Sequence, residues 1–378
     1  MARLSRRSAV ESFRAMDVME AARRQEALGH DVIHMEVGQP GTPAPRLARE
    51  ALAEALRAGT PLGYTVALGL PALRARIARL YRDWYGLEID PERVIVTSGS
   101  SGAFILAFLA LFDAGDSVVI GDPGYPSYRN TMKAMGINVR GVPTGAATRF
   151  QPGPGDLGDA SGMLVASPSN PTGTMLGLAE MRALADACAA RGAAFISDEI
   201  YHGLSYGARC VSALEVSDDA YVINSFSKYF SMTGWRIGWM VVPAEHVRAI
   251  ERLAQNLFIC APHASQIAAL AALEATEELE ANKAAYARNR DIVLNGLPEA
   301  GFTRLAPCDG AFYVYADVTD LTDDSLEFSA RMLREAGVAA TPGLDFDPLR
   351  GSRWMRFSFA GAERDMVEGM HRLKNWRQ

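Results

Sequence analysis

The sequence predicts an α/β protein: a large domain with a mostly parallel sheet covered by helices on both faces, plus a smaller, discontinuous α+β domain. Two observations predict the large domain. Between residues 46 and 260, short apolar runs alternate with longer helical stretches, the pattern of repeated strand–helix–strand units. The runs RVIVTS (93–98), SVVIGD (117–122), GMLVAS (162–167), AAFISD (193–198), YVINSF (221–226) and IGWMVV (237–242) are near-continuously apolar. Strands buried on both faces read this way, whereas half-exposed strands alternate. A third observation predicts the smaller domain: beyond a long Ala/Leu/Glu-rich region come AFYVYADV (311–318), a helical stretch over 326–336, and RFSFA (356–360).

The elements fall in order along the chain. An N-terminal helical pattern ends near Leu28 and Gly29, where glycine suits a helix C-cap. A short apolar segment, 32–37, runs into the turn GQPGTPAP (38–45), a first boundary. A second boundary is expected near 262–285. The expected division is therefore 1–40 as the N-terminal part of the small domain, 41–270 as the large domain, and 271–378 as the C-terminal small domain.

Composition narrows the function. A chain of 378 residues is long enough to bury a large core without metal or disulfide staples. Its net charge of −6 argues against a nucleic-acid partner, which needs a basic surface. Cys188, Cys210, Cys260 and Cys308 lie far apart with no C-x-x-C pair, so neither a disulfide framework nor a zinc site is expected. The N-terminus has arginines but no apolar core of a secretory signal. Even FILAFLALF (104–112) is too short to span a membrane. A cytoplasmic protein with no membrane partner is expected.

Polar residues of chemical interest follow the strands directly, and ligands of open α/β sheets bind outside the strands' carboxyl ends. In SFSKYFSMTGWRIG (225–238), a lysine lies between serines, with an arginine eight residues on. A lysine amine condenses with aldehydes once it loses its proton, and desolvation or a nearby cation lowers its pKa. Ser225 and Ser227 offer hydroxyls to a phosphate, and Arg236 a bidentate clamp. At every position this segment resembles the lysine-attachment motif of class I and II aminotransferases, a fold-type-I family that uses pyridoxal 5′-phosphate (PLP). The resemblance implies that Lys228 holds PLP as a Schiff base.

The other strand ends extend the resemblance. In ISDEIYHGL (196–204), a buried aspartate needs a partner; the resemblance implies that Asp198 pairs with the pyridinium N–H and Tyr201 with the phenolic oxygen. Alone, D-E-x-Y more often marks a strand-to-loop turn, and Glu199 and His202 receive no role. SPSNPTGT (167–174) is similar to the family's turn whose asparagine, here Asn170, contacts the same oxygen. TSGSSGAF (97–104) runs from a strand into a helix whose free N–H groups suit an anion; the resemblance makes Ser100 and Ser101 phosphate donors. A lysine at the place of Ser101 serves acidic substrates in one branch, so serine weakens the case for an aspartate enzyme. In DPGYPSY (122–128), Tyr125 resembles the residue stacked on the pyridine ring, with simple packing in a Pro/Gly turn as the competing reading.

Three further matches concern substrate and partner. Tyr64, in LGYTVALGLPALR (62–74), resembles the tyrosine that reaches the neighbouring subunit's phosphate, which implies a homodimer with shared active sites. Arg356, in WMRFSFA (354–360), resembles the arginine that holds the substrate α-carboxylate, and Gly38 the glycine beside it. ATPGLDFDPLRG (340–351) departs from the family form, with Asp347 where glycine is usual, so the Asp345–Phe346–Asp347 loop has no assigned role. The resemblance implies an aminotransferase moving an amino group from an L-amino acid to a 2-oxo acid by a ping-pong cycle. A C–S β-lyase on the same scaffold is the alternative. A non-catalytic PLP-binding regulatory module is a weaker one, because the residues before Gly38 leave little room for a DNA-binding domain. The sequence does not select the amino acid.

Overall fold

Residues 3–377 are described by the computed structural model. Its first α-helix, α1 (Arg14–Ala27), ends at Leu28, and Gly29 follows with φ 89°. Only glycine adopts that left-handed conformation without strain, so it stops the helix where expected. Strand β1 (Ile33–His34) and helices α2 (Arg46–Arg57) and α3 (Pro71–Tyr85) lead to the main sheet. Helix α3 opens on proline and closes on a left-handed Gly86, the asymmetry that backbone hydrogen bonding favours.

The main sheet has seven strands: β2 (Val94–Thr97), β3 (Ser117–Asp122), β4 (Asn138–Pro143), β5 (Gly162–Ala166), β6 (Ala194–Asp198), β7 (Tyr221–Ser225) and β8 (Gly238–Val241). Their spatial order is β2-β8-β7-β6-β5-β3-β4. Strand β8 runs antiparallel to β2 and β7, and every other pairing is parallel. Helices α4 (Gly99–Leu111), α5 (Pro126–Met135) and α6 (Leu178–Ala189) follow β2, β3 and β5. Neighbouring residues within a strand enter different cores: Val119, Met163, Phe195 and Val222 join one, Ile120, Leu164, Ile196 and Ile223 the other. That division is what a sheet covered on both faces requires. Strand β4 was not expected. It is a half-exposed edge strand, NVRGVP, without the continuous apolar run that marks its neighbours.

Helices α7 (Val247–Leu257), α8 (His263–Ala272) and α9 (Thr276–Glu299) connect to the remaining elements. These are β9 (Arg304–Leu305), β10 (Tyr313–Asp317), α10 (Ser325–Arg331), β11 (Val338–Ala339), β12 (Thr341–Pro342), β13 (Trp354–Ser358) and α11 (Glu363–Arg377). An antiparallel sheet has the order β12-β13-β10-β9. Strand β1 pairs in parallel with β11, and Met35 N–H donates to Ala339 (2.9 Å). The N-terminal segment is thus stitched to residues near the other end of the chain. No helix among the described residues is long and apolar enough to cross a membrane.

Candidate functional site

A cavity of about 230 Å³ opens where the strand ends of the main sheet meet the segments around β1 and β13. It is lined by Ser100 and Ser101 after β2, Tyr125 after β3, Asn170 after β5, and Asp198 and Tyr201 at the end of β6. Ser227 and Lys228 after β7, Arg236 before β8, Gly38 after β1, and Arg356 on β13 complete the sequence-predicted set in the lining.

Lys228 lies under opposing electrostatic pulls. Its Nζ donates to the Gly38 carbonyl at 2.6 Å. Burial, followed by the Arg356 and Arg236 charges, pulls its pKa down to about 8, against an opposing pull from Asp198. Asp198 is buried; Oδ1 accepts from Ile200 N–H (3.1 Å) and Oδ2 from the Tyr128 hydroxyl. Burial pushes its carboxyl up to about 6 despite these donors. A carboxylate held this way gains from a cationic N–H in the cavity.

Arg356 is only 2% exposed. Its Nη1 donates to Asn170 Oδ1 (3.0 Å), and its Nη2 to the Glu36 carbonyl and Thr341 Oγ1 (3.2 Å). The rings of Tyr313 and Phe346 lie 4.4 and 4.8 Å from the guanidinium, and Nε has no partner. Arg236 sits in a left-handed conformation, φ 49°, with Nη1 donating to the Thr233 carbonyl (2.9 Å). A Cβ on Gly99 would strike its guanidinium. Glycine there lets a cation approach the free N–H end of α4, where Ser100 and Ser101 stand. Among the described residues, the ion pairs include none of Lys228, Arg236 and Arg356. Three cations thus share a cavity with one lining carboxylate, an arrangement suited to an anion.

Two predicted residues stand elsewhere. Ser225 lies behind the lining: its hydroxyl sits between Ser227 Oγ (2.8 Å) and the Ile237 carbonyl (3.2 Å), and accepts from Ser227 N–H (3.1 Å). Those contacts use it to hold Ser227. Tyr64 is 82% exposed and lies outside the cavity of its own chain. Glu199 and His202, given no role, form a buried cluster outside the lining. His202 Nε2 lies 2.8 Å from the Ser167 carbonyl and Nδ1 2.5 Å from Tyr85 Oη, and burial pulls its pKa down to about 3. Asp347 shapes its own loop, accepting from Leu349 N–H (3.0 Å), Arg350 N–H (2.9 Å) and Arg350 Nε (2.8 Å).

Several lining residues escaped the sequence reading. Tyr128, whose hydroxyl reaches Asp198, lies three residues beyond Tyr125 at the start of α5; that spacing puts both on one helical side and could have flagged it. Tyr313 shares a 2.7 Å hydroxyl contact with Tyr201, and a Cβ on Gly38 would collide with it. Phe13, Ala15, Met16 and Val37 supply an apolar wall, and nothing local in the sequence marks them.

Relatives of known family resemble the chain over nearly its whole length. A profile described as aminotransferase class I and II matches residues 30–373. A Mycobacterium tuberculosis protein named valine–pyruvate aminotransferase is 48% identical over 382 residues, covering 99% of this chain and 98% of that one. The crystal structure of an aminotransferase from Mycobacterium tuberculosis superimposes with TM-score 0.97 at 47% identity, over 100% of this chain and 99% of that one. The aspartate aminotransferase of Thermus thermophilus, solved with maleate, gives TM-score 0.93 at 32% identity over all of both chains.

Proposed function

Because the chain belongs to the class I and II aminotransferases, we propose that it holds PLP in this cavity and passes amino groups between small apolar amino acids and pyruvate. One observation carries the reading: three basic side chains without acidic partners share the cavity with a single buried carboxylate, and both charge types are needed by an anionic, ring-protonated cofactor. The residues fit the group. The N-terminus of α4 with Ser100, Ser101, Ser227 and Arg236 would hold the phosphate, Ser225 keeping Ser227 in place. Asp198 would pair with the ring nitrogen, Asn170 and Tyr201 with the phenolic oxygen, and Tyr125 would cover the ring face.

When bound, PLP supplies an aldehyde for the amino group and a ring that draws electrons from the substrate Cα. The protein's residues do the rest. Arg356 fixes the substrate carboxylate by a fork-to-fork pair beside Gly38, and positioning of this kind is worth about 7 kcal/mol or more in favourable cases. Lys228, half deprotonated at about pH 8 where an ordinary lysine is almost fully charged, would take the proton from Cα and carry it across the cavity. Asp198 stays ionised once a cationic N–H faces it. Amino donor and oxo acceptor would use the same carboxylate clamp in turn, the first product leaving before the acceptor binds while the loaded enzyme keeps the amino group, which is a ping-pong order.

An apolar substrate is supported by the wall of Phe13, Ala15, Met16 and Val37, by serine rather than lysine at position 101, and by the name of the Mycobacterium tuberculosis relative. A homodimer is supported by an exposed apolar patch: Tyr64, Val66, Leu257 and Ile259. The Thr65 N–H meets Cys260 Sγ there, joining the two stretches. Tyr64 would then complete the partner's phosphate site. We divide the chain at 1–40, 41–270 and 271–378, the first and last parts forming one domain, as the β1–β11 pairing suggests. The four free cysteines suit a cytoplasmic protein.

A half-reaction screen tests the reading. PLP-loaded protein is mixed with single amino acids, and the visible cofactor absorbance is followed. Valine and alanine should bleach it, pyruvate should restore it, and aspartate should act poorly. Lys228→Ala should lower turnover by about 10⁴-fold; retained turnover would sink the proposal.

A further inference from the structure

Helix α1 has no cap of its own. Phe13, the residue before it, offers no side-chain acceptor, yet the first N–H groups of a helix have no partner within it. The acceptor comes from the far end of the chain. Asp345 Oδ1 takes the Arg14 N–H at 2.9 Å, and Oδ2 takes the Ala15 N–H at 3.2 Å. Asp345 is buried, and its loop is tied to the cavity from two other sides. The Phe346 ring lies 4.8 Å from the Arg356 guanidinium, and its carbonyl accepts from Gly124 N–H (3.0 Å), next to Tyr125. Asp347 holds Arg350, whose Nη2 donates to the Asp122 carbonyl at 2.6 Å.

The capped end of α1 presents three residues to the site. Phe13 meets the Tyr125 ring edge-on at 5.8 Å, and Phe13, Ala15 and Met16 all line the cavity. We propose that Asp345 is a positioning residue for the substrate: by capping α1 from across the sequence, it holds Phe13 and Met16 as the apolar wall that meets the substrate side chain. This rests on the reading that the cavity takes an amino acid. An uncapped helix frays from its end, and the residues that would move are those of the wall. Arg356 still grips the carboxylate and Lys228 still reaches Cα. The loss therefore falls on side-chain discrimination and spares the chemistry common to all amino acids.

The test compares valine with alanine in the PLP-loaded enzyme. In Asp345→Ala, the valine-to-alanine ratio of kcat/KM should fall about tenfold, the range expected for losing contact with one or two methyl groups. Turnover at saturating alanine should stay near wild type. Amide hydrogen exchange at Arg14 and Ala15 should quicken about five- to tenfold, as a lost cap allows. Asp345→Asn keeps one acceptor oxygen and should fall between; it also decides the matter if the alanine variant does not fold. An unchanged ratio in the folded variant, with or without faster exchange, overturns the proposal. A wild-type enzyme inert toward both amino acids overturns the functional reading, and the substrate wall with it.

Discussion

Lys228, Asp198, Asn170 and Ser100 stand at the ends of strands in one sheet, whereas Arg356, Gly38 and Phe13 come from three separated stretches of chain, with Phe346 packed on Arg356. On the first side, backbone pairing sets the spacing of the groups: Asp198 closes β6, Ser100 stands in the first turn of α4, and Asn170 and Lys228 follow β5 and β7 within a few residues. On the second side, Arg356 also sits on a paired strand, β13, but its relation to the N-terminal residues depends on contacts across long sequence distances, such as Asp345 with the Arg14 N–H and Arg356 with the Glu36 carbonyl. The sheet side is suited to constant chemistry. The assembled side can change its side chains, and so its substrates, without disturbing strand register.

Three experiments probe this contrast. The largest effect belongs to the assembled side. Arg356→Lys loses the planar fork and the contacts to Tyr313 and Phe346, and kcat/KM should drop by roughly 10²–10³-fold. Cofactor affinity, measured by equilibrium titration with PLP, should hold; an equal loss there would merge the two sides. The next effect is on the sheet side. Only the neutral Lys228 amine attacks an aldehyde, and its pKa is lowered to about 8, first by burial and then by Arg356. PLP capture by the cofactor-free protein should therefore quicken about tenfold per pH unit below 8 and level off above it. A rise continuing to pH 10 would mean that burial does not depress this amine. Tyr128→Phe is the smallest. Removing one donor from Asp198 should weaken PLP binding about fivefold and leave the KM for amino acids unchanged.

Legibility in the sequence followed the same line. The strands around Asp198 and Lys228 were readable because a strand buried on both faces is apolar without interruption. The loops after them were readable because their chemistry sits within a few contiguous residues. Strand β4 was not, since an edge strand facing solvent needs no apolar run. The antiparallel direction of β8 was equally hidden, because IGWMVV packs the same way in either direction. Ser225 stood in the right motif, but the motif cannot say that its hydroxyl turns to Ser227. Asp345, Tyr313 and Phe13 carry no local mark, and their meaning arises only from partners hundreds of residues away or from the folded surface they share.

The pairing of β1 with β11 has a consequence for how the protein is made. Ile33 leaves the ribosome early, and its partner Val338 is synthesised about 300 residues later. The strand-end loops from Ser100 to Arg236 are complete well before then, so the cofactor side can be laid down while translation continues. The wall at Phe13 cannot be finished until Asp345 has emerged. A nascent chain therefore acquires the means to hold its cofactor before it acquires the means to choose its substrate, and a premature stop short of residue 338 leaves its first strand without a berth.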